Sequence, residues 1–213
     1  MTTLPSGALV KGVVRPDSEA IAVLLHGASV GSSGATSWFA PVPLRMQWFE
    51  WAIRIRSKRR ITVLRLRHPE RSWATVFRQA LKDTAELLDH IERIAPNARV
   101  ALIGHSNGGR VALTLSSDSR VAVVAALAPW ITDNDRFSPR QGQAVLLMHG
   151  ARDRRTEPQH TQELAARLRE RGCVVDSEIV AGDNHAMLAR PYYWHRRVAD
   201  FVVEHLDHLG SAS

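Results

Sequence analysis

The chain has a single cysteine, Cys173, and so cannot close an internal disulfide. Nothing in it asks for an oxidising compartment, and Cys173, placed after Gly172 and before an apolar run, reads as a buried structural thiol. No apolar stretch is long enough to span a bilayer, which excludes a helical membrane protein. The first residues, Met1 to Gly7, lack the basic start and apolar core of a signal peptide, so a cytoplasmic protein without a membrane partner is expected. Lysine is scarce: Lys11, Lys58 and Lys82 are the only ones, and the net charge of +7 is almost all arginine. The densest basic cluster, Arg54 to Arg60, closes a helical pattern and complements that helix's negative end. It is not interleaved with aromatics as a single-strand binding groove would be, so no nucleic-acid partner is expected. The charge still suits attraction of an anionic substrate.

What is present is an alternation of strand and helix patterns over 213 residues, enough for one domain spanning 1–213 with a full core. Ala8 to Val14 reads as an edge strand interrupted by Lys11 and Gly12. The apolar run at 20–25 reads as a strand covered on both faces, and 61–66, 99–103, 121–127, 144–148 and 174–180 read as further strands. Helical spacing predicts helices over 44–57, 72–94, 110–115, 157–171 and 193–209, with a Gly/Ser-rich loop from Ala28 to Ser37. The expected architecture is α/β, a mostly parallel sheet of about seven strands with helices on both faces.

Gly104-His105-Ser106-Asn107-Gly108 stands between an apolar strand and a helix-like segment. That is G-x-S-x-G in the context of a nucleophile elbow, where glycines keep side chains out of a sharp turn. At average usage the pattern would occur in roughly 0.07 of chains this long, so the flanking strand and helix carry the weight. Ligands of open parallel sheets meet the carboxyl ends of strands, so the polar residues there are the candidates.

A serine hydroxyl needs a base titrating near neutrality and a carboxylate to orient that base. Ser106, Asp153 and His185 supply the three, in that chain order, each in a loop after a strand. Of ten histidines, His185 alone lies between the last strand and the last helix. His105 is expected to point back into the elbow, and His26 and His149 to hold loops. Asp133 and Asp135 remain alternative acids, and Asp183 reads as a turn former. Backbone N–H groups of Asn107 and Ala28 are the expected oxyanion donors. Trp130, Trp38 and Met187 are candidate pocket residues.

The motifs His26-Gly27, Gly104 to Gly109, Leu147 to Asp153 and Gly182 to His185 resemble those of the α/β-hydrolase superfamily, in particular small bacterial serine esterases and dienelactone-hydrolase-like proteins. Dienelactone hydrolases themselves place cysteine where Ser106 stands. Only about a dozen residues, Pro129 to Gly142, separate the strand ending near Leu127 from the next, too few for the helical cap many members insert there. The family's usual first strand is also missing or reduced. The resemblance implies a serine hydrolase of small esters or thioesters, of carboxylesterase or thioesterase type, working through an acyl-enzyme on Ser106. No metal or cofactor is expected, and the protein is expected to be a monomer or homodimer. An acyltransferase with the same triad, or a non-catalytic ligand- or protein-binding member of the fold, are the alternatives.

Overall fold

The computed structural model describes residues 1–28, 37–68 and 75–207. The apolar runs form eight strands: β1 (Thr2–Thr3), β2 (Leu9–Lys11), β3 (Ala20–Leu25), β4 (Thr62–Arg67), β5 (Arg99–His105), β6 (Val121–Leu127), β7 (Ala144–Gly150) and β8 (Val174–Val180). They make one sheet in the order β1-β2-β4-β3-β5-β6-β7-β8. The two short edge strands pair antiparallel and the other six strands are parallel. The expected architecture holds, with eight strands where about seven were expected.

The additional strand lies at the amino-terminal edge. Of the Ala8–Val14 run only Leu9–Lys11 joins the sheet, because Gly12 turns the chain at φ +116. Thr2–Thr3 then pairs with Val10 and Leu9.

Five helices follow the strands: α1 (Pro41–Arg56), α2 (Val76–Ile94), α3 (Asn107–Thr114), α4 (Pro158–Glu170) and α5 (Pro191–Asp207). α1 begins three residues earlier than its apolar spacing implies, since Pro41 is pre-set for a first helical turn. The Gly/Ser-rich loop and the start expected for the second helix at Ser72 fall outside the described residues, as does the expected end of the last helix at Leu209.

Strand side chains alternate between two cores. Ile21, Val23 and Leu25 pack with Leu87 and Leu88 of α2, Val111 of α3 and Leu164 of α4. Ala22 and Leu24 face the other way, toward Met46 and Phe49 of α1 and Trp194 and Phe201 of α5. This period of two explains why the strands read as continuous apolar runs.

The sheet reverses its winding between β3 and β5: the chain moves from β3 to β4 on one side, then returns to place β5 on the other. Such a switch point opens a crevice at the carboxyl ends of the strands. Residues 128–143, between β6 and β7, carry no helix or strand, so nothing of domain size covers that crevice from there.

At the crevice the backbones of β3, β5 and α3 approach one another. A Cβ at Gly108 would stand 2.8 Å from the His26 carbonyl oxygen and closer still to that of Leu25. Gly142 has φ +76 but open space around it. Gly108→Ala is therefore expected to lower stability by about 2–3 kcal/mol through overpacking. Gly142→Ala should lower it by about 1 kcal/mol, from backbone strain alone. Urea denaturation of both variants checks this, and equal losses would mean that the crossing backbones can part without penalty.

Candidate active site

Ser106 stands between β5 and α3 with φ 56 and ψ −118, a left-handed conformation that a non-glycine residue rarely adopts. The turn is held by backbone bonds, Ser106 N–H to the Leu127 oxygen at 2.8 Å and Trp130 N–H to the Ser106 oxygen at 3.2 Å. Gly27 lets the β3 loop come close, since a Cβ there would sit 3.1 Å from Ser106 Cβ. Ser106 lines a cavity of about 660 Å³ together with Ala28, His105 and His185.

Two backbone donors face this serine's surroundings. The Asn107 N–H is the first of α3, and it accordingly has no carbonyl partner within the helix. The Ala28 N–H also makes no hydrogen bond among the described residues. His26 fixes the direction of the latter. Its Nδ1–H donates to the Gly27 oxygen at 2.7 Å, and its Nε2 accepts from the His68 N–H at 3.2 Å. Pinning the Gly27 carbonyl sets the plane of the Gly27–Ala28 peptide, and the Ala28 N–H points opposite that oxygen. His68 is in turn bonded to the buried Asp83 at 2.7 Å.

Asp153 and His185 meet although 32 residues apart. His185 Nδ1 donates to Asp153 Oδ2 at 2.7 Å, which leaves Nε2 as the acceptor of the ring. The two loops are stitched together by Arg152 N–H to the Asp183 oxygen at 2.8 Å. That approach needs Gly150, where a Cβ would lie 2.7 Å from the same oxygen. Asp183 shapes the base loop as expected, accepting from the N–H groups of Asn184, Ala189 and Arg190 and from Trp194 Nε1–H.

The Asp153 carboxylate is buried, which by itself would raise its pKa. Hydrogen bonds from His149 and His185 and from the Arg155 N–H outweigh burial and hold it well below the usual carboxylate range. Thr156 adds its hydroxyl at 2.8 Å and its N–H at 3.1 Å. His149 Nε2 lies 3.1 Å from Asp153 Oδ2, and its Nδ1 is 2.7 Å from the Thr161 hydroxyl.

The alternative acids are elsewhere. Asp135 is paired with Arg110 at 2.7 Å and accepts from Thr132, and Asp133 is exposed beside it. Ser106 Oγ makes no hydrogen bond to His185 in this structure, a contact that in substrate-free hydrolases is often long and tightens on binding.

The pocket residues expected from sequence are not among those lining the cavity. Met187 is buried at 3% exposure in the core shared with Trp194. Trp38 lies over the guanidinium groups of Arg65 and Arg67, 5.3 and 5.4 Å from its ring. Trp130 reaches Ser106 through its backbone N–H. Arginines line the cavity instead: Arg45 from α1, and Arg152, Arg154 and Arg155 around the acid.

His105 also differs from expectation. Its ring lies 4.9 Å from that of His185, and its Nε2–H donates to the His185 carbonyl at 2.9 Å. His195, on α5, packs edge-on to Phe49 at 4.6 Å.

Burial, with the neighbouring His68, pushes the His26 pKa down to about 3. The unfolded chain takes up this proton near pH 6.5, whereas the native protein refuses it until about pH 3. Stability is therefore fullest above pH 6.5 and falls with acidification through that window, at up to about 1.4 kcal/mol per pH unit for this group. Guanidinium midpoints should be lower at pH 5 than at pH 7, and the difference should shrink in His26→Asn. An equal pH dependence in both proteins would mean that the native protein protonates His26 freely.

Residues 131–209 match the model of the prolyl oligopeptidase family, a segment holding Asp153 and His185 but not the Ser106 elbow. No curated protein matches the chain. Among solved structures it is similar to an α/β serine hydrolase without a lid from Xanthomonas campestris, at 18% identity and TM-score 0.72 over 95% of this chain and 91% of that one. A protein of unknown function from Agrobacterium tumefaciens aligns at 17% identity and TM-score 0.77 over 97% and 95% of the two chains. An esterase of Pyrococcus furiosus aligns at 15% identity and TM-score 0.70 over 96% and 90%. With eight strands in one sheet, a strained serine after β5 and no inserted cap after β6, the chain has the cap-less α/β-hydrolase fold.

Proposed function

We propose that this protein is a serine hydrolase that cleaves small carboxylic esters or thioesters through an acyl-enzyme on Ser106. The observation that carries this reading is the His185–Asp153 pair, bonded at 2.7 Å, opening onto the same cavity as Ser106. His185 Nε2 takes the proton of the Ser106 hydroxyl as Oγ attacks the carbonyl carbon. The developing oxyanion accepts hydrogen bonds from the N–H groups of Ala28 and Asn107, beside the positive end of α3. Collapse breaks the bond to the alkoxide or thiolate, which leaves with the proton from Nε2. Water, deprotonated by His185, then attacks the acyl carbon and releases the acid and Ser106. Asp153 stays ionised throughout and stabilises the imidazolium.

The absence of any element between β6 and β7 that could enclose a chain favours small substrates over peptides. It also leaves room for an alcohol or amine to replace water, which would make the protein an acyltransferase. The fold with this constellation is also similar to that of the Pyrococcus furiosus esterase.

With short-chain nitrophenyl esters, Ser106→Ala is expected to lower kcat/KM at least about 10³-fold. A fluorophosphonate probe should label the folded wild-type protein at Ser106 alone. Equal turnover by both proteins, or labelling of another residue, would remove Ser106 from the chemistry and leave a non-catalytic binding protein as the better reading.

A further inference from the structure

Several arginines of this protein are held in ion pairs. Arg110 binds Asp135, Arg120 binds Asp118, Asp89 and Glu92, Arg65 binds Glu50, and Arg197 binds Asp176. The cavity at Ser106 gathers four arginines that are not. Arg45, Arg152, Arg154 and Arg155 line it, no carboxylate does, and none of these four side chains makes an ion pair or hydrogen bond among the described residues. The nearest carboxylate, Asp153, is buried behind His185 with its oxygens already bonded.

Two of the four are placed with respect to the reaction. Arg45 comes from α1 and is half-buried, close enough to His105 to act on the residue preceding Ser106. Arg155 follows Asp153 in the acid loop and its charge acts on Arg45. Like charges gathered at a solvent-open site without a counter-ion repel one another, and an anion between them removes that repulsion. The planar guanidinium fork matches a carboxylate or phosphate in two parallel hydrogen bonds.

We propose that the esters this cavity takes carry a second, anionic group, a carboxylate or phosphate, which Arg45 and Arg155 hold while Ser106 attacks the carbonyl. This rests on the serine-hydrolase reading above. Arg152 and Arg154, exposed like Arg155, raise the local concentration of anionic substrate.

Two ester pairs and a fifth ester separate the sources of the charge, 4-methylphenyl acetate serving as the neutral reference for both leaving-group anions. Nitrophenyl hemisuccinate against nitrophenyl butyrate places it on the acyl side. 4-Acetoxybenzoate against 4-methylphenyl acetate places a carboxylate on the leaving group, and 4-acetoxyphenyl phosphate places a phosphate there. Each kcat/KM is normalised to uncatalysed hydrolysis. The wild-type protein is expected to prefer at least one anionic member about tenfold or more, the size of a charge-assisted hydrogen bond. That ratio should fall about tenfold in Arg45→Gln and in Arg155→Gln. It should hold in Arg196→Gln, which removes the same charge outside the cavity.

A ratio near one in the wild-type protein, or one unchanged by Arg45→Gln and Arg155→Gln, overturns the anion site while Ser106-dependent hydrolysis stands. If no ester is cleaved and Ser106 is not labelled, the hydrolase reading fails instead. Calorimetric titration of succinate and inorganic phosphate then decides the anion site separately. Heat abolished by Arg45→Gln supports it, and no heat in the wild-type protein overturns it.

Discussion

The site depends on how closely three backbones can cross at the sheet's reversal point. β3, β5 and α3 meet where Gly27, Gly104 and Gly108 stand, and a side chain at Gly104 or Gly108 would run into a backbone carbonyl. Only with those positions empty can the chain turn within one residue from strand to helix and leave Ser106 at φ 56. The strain is local, and β3 and β5, buried except at Arg99, are stiff enough to hold it. The same crossing brings the loop before Ala28 against Ser106, since a Cβ at Gly27 would lie 3.1 Å from that of Ser106.

Support for the other two groups comes from beneath. Asp153 is fixed by five hydrogen bonds, from His149, His185, the Thr156 hydroxyl and two backbone N–H groups. A carboxylate so satisfied has no reason to rotate or to protonate, which lets it hold one imidazole tautomer. His185 is held at both ends, by Asp153 through its ring and by His105 through its carbonyl. His105 does this as a neutral donor, since burial and then the charges of His185 and Arg45 keep its pKa well below the ordinary histidine value. Nature of the charge matters here: a protonated His105 would set a second cation against His185 and weaken it as a base.

Much of this was legible in the sequence, for a reason particular residues make plain. Ser106, Asp153 and His185 stand within five residues of the ends of β5, β7 and β8, and a parallel sheet gathers the ends of its strands. Elements whose partners are near in sequence or fixed by topology can be read this way. Arg45 cannot. It sits mid-helix in α1, about 60 residues before the elbow, and no local pattern marks the face of α1 that borders the cavity. Trp38, Trp130 and Met187 do not line the cavity for the complementary reason: a place in a loop near the candidate site does not say which way a large side chain turns. Met187, at φ 57, turns inward to the core despite its place two residues from His185. The edge strands were blurred because pairing over two or three residues leaves no periodicity to detect.

An open crevice changes what a hydrolase can use for discrimination. Enzymes with a cap exclude water and wrap their substrates, drawing specificity from apolar contact over a wide surface. Residues 128–143 offer no such cover, and the lining of this cavity includes four arginines but no large apolar side chain. Apolar contact is worth only about 25 cal/mol per Å² and needs enclosure to accumulate. A charge-assisted pair contributes about 1.5–3 kcal/mol from a single point of contact. In a site left open on one side, charge is therefore the stronger means of choosing a substrate, and the unpaired arginines stand where it can act. The same openness exposes that charge to salt, so recognition of this kind weakens as ionic strength rises, whereas the buried Asp153–His185 pair is screened much less.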